Sequence, residues 1–396
     1  MLEIAYLKSI AWLQNFDSKP FALPKFWLFC IVWLCVFSPP KGITDWLDRA
    51  FGTPVGYNHA PIFRAKTQHL LTPITTLMPE VADRSNGGKI NFRLLMPTIA
   101  RCLSMDLRQS MLFQNALGLL FVWIMILLTN KHFKAFDPLL VYILAFGCLN
   151  IFFAKACFID IYGWFDGMAF LLLLLAMFFE NSLLIALCCF LACFTDERAF
   201  ISTVFVGVWH GFIKNNLTQH FSIKTFFLSA KPIFWVLASL FAAVCVRWFL
   251  RYKFGLTTPI SNPNDLGFLW ILRQANLIPL GLYSAFESFW LLLVLAIGAM
   301  WLRRQWFLLC LFGLPTLAIG VGSFAVADIT RSLGYGFPFV FISVYYLCSI
   351  EKNSDLIRKL LVVLCLLNAL TATTYVLGEN IYWHYPLLLK IGTWIY

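Results

Sequence analysis

The sequence predicts an all-α fold, a polytopic transmembrane helix bundle of about eleven spans. Three observations predict it. Of 396 residues, 61% are hydrophobic and only 12% are charged, whereas a soluble domain carries about 25% charged residues. So little polar surface cannot cover a water-soluble particle of this size, and lipid must cover it instead. The apolar residues are gathered into runs close to the roughly 20 residues a membrane helix needs. Lys and Arg, the source of the net charge of +11, lie mainly in the short connectors between those runs, as membrane topology requires, so no nucleic-acid partner is expected.

The elements follow in order. Residues 1–25 are a cytoplasmic N-terminal segment. The first apolar run begins near Phe26, behind a polar, proline-containing stretch, so no cleavable leader is expected. Spans are expected near 26–40, 110–129, 138–154, 165–180, 182–195, 199–213, 226–247, 286–302, 306–326, 337–350 and 360–377. The stretch 182–213 reads as two short spans or one bent hairpin, because Asp196-Glu197-Arg198 is too polar for lipid. Residues 41–109 form a long outer loop, and loops of that length carry function or structure of their own. Within it INFRLLMPTIARCLSMDLR places apolar residues at helical spacing around Arg93, Arg101 and Arg108. It reads as an interfacial amphipathic helix bent at Pro97. There is no tandem repeat, and 1–396 reads as a single integral membrane domain.

Orientation follows from the cations. With the N-terminus in the cytoplasm, thirteen Lys and Arg fall in inner segments, from Lys8, Lys19 and Lys25 to Lys352, Arg358 and Lys359. Seven fall in short outer ones: Lys155, Arg198, Arg251, Lys253, Arg273, Arg331 and Lys390. That bias favours an inner N-terminus and an outer C-terminus. The acids are biased the other way. Of nineteen, only Glu3, Asp17, Asp137, Glu180, Glu351 and Asp355 are inner, which points to a polar, Arg-containing mouth on the outer face.

The candidates for chemistry lie at that mouth. In GITDWLDRAFG, Asp45 and Asp48 share one face of a helical turn. Either could serve as general base toward an acceptor hydroxyl, or the pair is a solvated loop with an ion pair to Arg49. In FIDIYGWFDGMAF, Asp160 and Asp166 are wall residues of a polar site, or Asp166 caps its helix. In FTDERAF, Asp196, Glu197 and Arg198 are a solvated turn or a site in which Arg grips phosphate bidentately. Arg247 and Arg251, one turn apart, hold a phosphate or snorkel to lipid headgroups. In VADITRSLGYGFPF, Asp328 and Arg331 pair with each other or face a ligand. Glu287 reads as a site wall or as a helix N-terminal charge. The twelve cysteines, including Cys188, Cys189 and Cys193, lack metal-ligand spacing and read as small apolar filler. No metal site is expected from the residues. A Gly-rich phosphate loop, H-E-x-x-H and G-x-S-x-G are all absent, which argues against an ATPase, a zinc protease and a serine hydrolase.

Four stretches resemble the GT-C-type integral membrane glycosyltransferases, which use polyprenyl-phosphate sugars. They are the acidic ITDWLDRAF after span one, NFRLLMPTIAR with its R-x-L-x-P-x-x-A-R pattern, the pair FDGMAFLLLLLAMFF and LACFTDERAF, and the late DITRSLGYGFPFVFI. The resemblance implies a sugar transferase on the outer face of a membrane, serving cell-envelope polysaccharide synthesis. It places the base on Asp45 or Asp48 and lipid-phosphate binding on Arg198, Arg251 or Arg331. A divalent cation is the one cofactor it leaves open. The partners would be membrane lipid and a polyprenyl-phosphate-linked sugar, and the compact loops suit a bacterial inner membrane. A lipid or polysaccharide flippase and a non-catalytic assembly subunit are the competing expectations. The flippase predicts broken helices and polar residues at the bundle centre.

Overall fold

The computed structural model describes residues 2–38, 92–105, 107–159, 165–214, 231–254, 268–326, 328–351, 353–371, 373–377 and 380–384, with 386, 387, 389 and 391. Asp45, Asp48 and Asp160, and most of the long loop, lie outside the described residues. The rest is overwhelmingly helical. The helices are α1 (Leu2–Asp17), α2 (Ala22–Phe37), α3 (Leu95–Cys102), α4 (Leu107–Phe133), α5 (Pro138–Leu149), α6 (Phe152–Ile159), α7 (Asp166–Phe178), α8 (Ser182–Cys193) and α9 (Ala199–Lys214). They continue with α10 (Lys231–Phe254), α11 (Phe268–Arg273), α12 (Ile278–Phe286), α13 (Trp290–Leu302), α14 (Trp306–Phe324), α15 (Ile329–Gly334), α16 (Pro338–Ile350) and α17 (Ser354–Leu370). An antiparallel hairpin closes the series, β1 (Thr373–Leu377) pairing with β2 (Asn380–His384) in the register Thr373–His384 to Leu377–Asn380.

The chain is a helical membrane protein. Four helical stretches are long and apolar enough to cross a bilayer: Leu112–Phe133, Lys231–Phe254, Ala275–Leu302 and Trp306–Phe324. The bent pair α5–α6, with 64° between its halves, makes a fifth if counted as one span. Each of the eleven expected stretches contains a helix, but α2, α7, α8, α9 and α16 have only 12 to 16 residues. At 1.5 Å per residue these reach about 18–24 Å, short of a hydrocarbon core near 30 Å. Eleven full spans therefore do not follow from length and composition. The last expected span also ends early, because the β-branched run after Leu370 forms β1.

Local signals explain several boundaries. Asp137 caps α5 by accepting from Leu139 N at 2.9 Å, with Pro138 in the first turn, where its missing N–H costs nothing. Asn181 caps α8 in the same way, at 2.9 Å from Leu183 N. Near Arg93 the expected long amphipathic helix is only the eight-residue α3. Pro97 sits in its first turn, so it starts the helix and does not bend it.

Burial is inverted relative to a soluble protein. α7 and α16 are enclosed along almost their whole length. The outer helices α10, α13 and α14 expose Phe234, Phe241, Trp248, Val294, Leu317 and Val321, while Asp166, Asp196, Glu287, Lys155 and Arg331 are buried. Apolar groups face outward because the solvent there is lipid, and charges collect inside. The helix ends alternate between two sides. One side carries exposed or half-exposed pairs, Lys131–Glu180 at 2.6 Å and Lys359–Asp355 at 2.7 Å. The other carries the N-terminal end of α7, the α8–α9 turn, α15 and the hairpin.

The close packing of α6 on α7 depends on Gly167, where a Cβ would come within 2.6 Å of the Cys157 backbone. We expect Gly167→Ala to destabilise the protein by about 1–3 kcal/mol, read by thermal unfolding in detergent. Gly298→Ala on α13, where a Cβ meets nothing within 4 Å, should leave stability unchanged or slightly raised.

Candidate functional site

Four separated segments bring their charges together at one end of the bundle. They are Phe92–Arg93 before α3, Asp166 at the start of α7, Asp196-Glu197-Arg198 in the α8–α9 turn, and Asp328–Tyr335 through α15. Asp196 is the hub, with a side chain that is 0% exposed. Its Oδ1 accepts from Arg198 N at 2.9 Å and Arg198 Nε at 2.8 Å, and its Oδ2 from Arg198 Nη2 at 2.9 Å. Arg93 Nη1 lies 3.0 Å from the same Oδ2, and Arg331 Nη2 3.4 Å. Arg93 also grips Glu197 bidentately, at 2.9 and 2.6 Å. Arg331 reaches Asp166 through Nε and Asp328 through Nη1 at 2.7 Å. Tyr335 donates to Asp166 at 2.7 Å and lies under the Arg198 guanidinium, which donates to Ser332 at 3.0 Å. Tyr375 of β1 reaches Asp328 at 3.5 Å.

The local folding explains this convergence. The turn after α8 is held by backbone bonds from Thr195 N and Asp196 N to Ala192 O, and Leu95 N donates to Phe194 O at 3.1 Å. That last bond lays the segment before α3 against the turn and delivers Arg93. Phe165 adopts a left-handed backbone, φ 58°, an uncommon state for a bulky residue. It turns the chain sharply into α7, so that Asp166 faces Arg331. Asp166 is therefore not the helix cap: Phe165 holds that position, with no side-chain cap bond. Asp328 and Arg331 form the i, i+3 ion pair that the sequence allowed.

Electrostatically, three guanidiniums face four carboxylates, leaving one negative charge in excess. Burial alone would push the Asp196 carboxyl up. The Arg198, Arg93 and Arg331 guanidiniums outweigh burial and hold it well below the usual carboxylate range. The arginines of the network are committed to carboxylates, so its interior is a closed ionic joint. Its open edge is Glu197, whose side chain is 43% exposed.

The structure thus brings together Asp166, Asp196, Glu197, Arg198, Asp328 and Arg331. Arg247 of α10 flanks the joint without an ion pair to it, within electrostatic reach of Glu197 and Asp196, and Arg251 lies one turn beyond. Arg247 donates to Cys193 O at 2.6 Å and is enclosed by Phe92, Phe194 and Phe200, with ring centroids 4.6 to 5.7 Å away. It finishes the end of α8 and does not snorkel. Arg251, one turn further, is exposed. Arg93 is the site residue that sequence reasoning did not single out. Its signal was present in the three arginines of 90–108, but an interfacial helix explained them without a buried partner. Among the described residues no group of three or more His, Cys, Asp or Glu side chains could hold a metal ion. The three cysteines named above are buried. The chain has no match among family models, curated proteins or solved structures.

Removing the hub charge strips buried Arg198 of its ion-pair partner and takes one carboxylate each from Arg93 and Arg331. Asp196→Asn is expected to cost about 3–5 kcal/mol, and Glu197→Gln at the exposed edge on the order of 1 kcal/mol. Because the folded-state carboxyl of Asp196 is depressed, its contribution is fully present above its unfolded value near 4. It is lost as pH falls below that value toward the folded one. The stability gap between wild type and Asp196→Asn, read by thermal unfolding, should be flat from about pH 8 to about pH 5 and narrow in stronger acid.

Proposed function

We propose that the chain is a membrane-embedded glycosyltransferase. It moves a sugar from a polyprenyl-phosphate donor to an acceptor at the face of the membrane where the ionic joint lies. One observation carries the reading. Arg93, Asp166, Asp196, Glu197, Arg198 and Arg331 meet in one largely buried charge cluster at one end of an apolar helix bundle. Glu197, with its side chain 43% exposed, is the open edge of that cluster. Ionisable groups enclosed in a membrane protein mark functional sites more often than structural ones.

In this reading Asp45 or Asp48 accepts the proton of the acceptor hydroxyl as its oxygen attacks the anomeric carbon. The bond from that carbon to the phosphate oxygen breaks, and polyprenyl phosphate leaves with the electron pair. The exposed Arg251 is the cation placed to meet the lipid phosphate. Arg93, Arg198, Arg331, Asp166, Asp196 and Asp328 position the mouth and do not touch substrate, since their charges are spent on one another. The eleven apolar helices act as eleven passes, the shorter ones completing the crossing through their flanking connectors. The exposed lysines of the opposite side face the cytoplasm with the N-terminus, as in a bacterial inner membrane. The product class is a cell-envelope polysaccharide or its lipid-linked precursor.

A second reading has its own support. α5–α6 is bent by 64° and the long stretch Ala275–Leu302 is interrupted at Glu287. Broken helices at mid-depth are the pattern of a transporter, here one that would flip a lipid-linked saccharide.

The purified protein in lipid, given labelled polyprenyl-phosphate sugars and a panel of acceptors, should form a new glycosidic bond. Asp45→Asn or Asp48→Asn should lower that rate by roughly 10²–10⁴-fold, and Arg251→Ala should raise KM for the donor more than it lowers kcat. Label that changes leaflet with no bond formed supports the flippase. No transfer across the panel, with unaltered surface glycans in a deletion strain, overturns the transferase.

A further inference from the structure

A second group of buried polar residues lies apart from the ionic joint, where two helix breaks meet. The first break is the bend between α5 and α6, and α6 carries Lys155, which is 3% exposed. The second divides α12 from α13 at Glu287, which is 4% exposed and falls near the middle of the 28-residue stretch Ala275–Leu302. The two charges act on each other electrostatically, and Lys155 is the cation whose field reaches Glu287. Glu287 has φ 50° and ψ −127°, a backbone state that costs about 1–3 kcal/mol outside glycine. An acid buried inside a stretch apolar enough to cross a membrane, on a strained break, is costly twice over.

The C-terminal turn of α17 supplies the rest of the site. Thr371 donates to Glu287 Oε2 at 2.8 Å. Asn368, three residues earlier on the same face, accepts from Ser288 N at 2.9 Å and Ser288 Oγ at 2.5 Å through Oδ1. Asn368 is 1% exposed, and its Nδ2 donor has no partner among the described residues. A buried amide donor left open is unusual, and this one lies one helical turn before the Thr371 that bonds Glu287. Other titratable groups on the surrounding helices are turned elsewhere. Cys365 of α17 donates to Ile143 O, Tyr375 of β1 to Asp328, and Tyr283 of α12 is 42% exposed. α13 carries no charged residue.

We propose that Glu287 and Lys155 form a proton-binding site in the membrane interior. The Glu287 carboxylate takes one proton from water to become the neutral acid and returns it. Thr371 holds the carboxyl, the Ser288–Asn368 bonds fix the backbone break that carries it, and Lys155 sets the balance between the two states. The site is separate from the ionic joint, and it stands whether the chain transfers a sugar or flips a lipid.

The test is infrared difference spectroscopy of the full-length protein in lipid, stepped across the pH range in which it stays folded. A carbonyl band of a protonated carboxylic acid should appear on acidification and be absent in Glu287→Gln. It should be kept but displaced in frequency in Glu287→Asp, and should arise at a different pH in Lys155→Met. Glu287→Asp decides the assignment if Glu287→Gln fails to fold. A spectrum with no band that responds to either Glu287 variant overturns the proposal, as does a band whose pH dependence is unmoved in Lys155→Met.

Discussion

The structure depends on the burial of one negative charge. Asp196 sits in a turn between two apolar helices, with no exposure to water. An isolated carboxylate there would be prohibitively costly, so the charge is tolerable only with good partners on every side. Arg198 from the same turn and Arg93 and Arg331 from two distant parts of the chain meet that demand. The two distant arginines bring their own segments with them, and so the requirement of one side chain becomes a constraint on the geometry of a whole end of the bundle. The hydrophobic effect contributes little to bringing helices together inside lipid. Directed ionic contacts therefore do work there that apolar burial does in water.

The same constraint separates a rigid part from a variable one. Arg331 ties α7 and the α8–α9 turn to α15, and Arg93 ties in the segment before α3. Around them α10 and α14 present apolar faces outward and contribute few buried groups. The side chains around Glu287 share no hydrogen bond or ion pair with the charges of the joint among the described residues, although α12 packs on α15. A role for them in proton exchange therefore does not compete with the joint.

Much of this was legible in the sequence, for physical reasons. Apolar runs mark helices because each backbone group in lipid must be satisfied within its own segment. The sequence therefore located a helix in every expected stretch, and the Asp-Glu-Arg turn stood out because charges there need an explanation. Asp166, Asp196, Glu197, Arg198, Asp328 and Arg331 were visible as candidates. The Asp328–Arg331 pair was visible as well, but the contacts among the four separated segments were not, since partners more than a hundred residues apart leave no periodicity to read. The role of Arg93 was hidden by an equally good local account, an amphipathic helix. The cap assigned to Asp166 failed because a long-range partner, Arg331, offered a full charge where the cap offered backbone dipoles. The strand after Leu370 was hidden because Thr373–Leu377 is short and apolar enough to pass for the end of a span.

The most direct measurement is a double-mutant cycle on Arg93→Met and Arg331→Met, followed by unfolding in lipid or detergent. The two arginines enter from opposite parts of the chain and share Asp196 as their partner. If the joint is one cooperative unit, the paired variant will depart from the sum of the singles by more than about 1 kcal/mol. Additivity within about 0.5 kcal/mol would show two independent ion pairs and would contradict the view that one buried carboxylate organises this end of the protein.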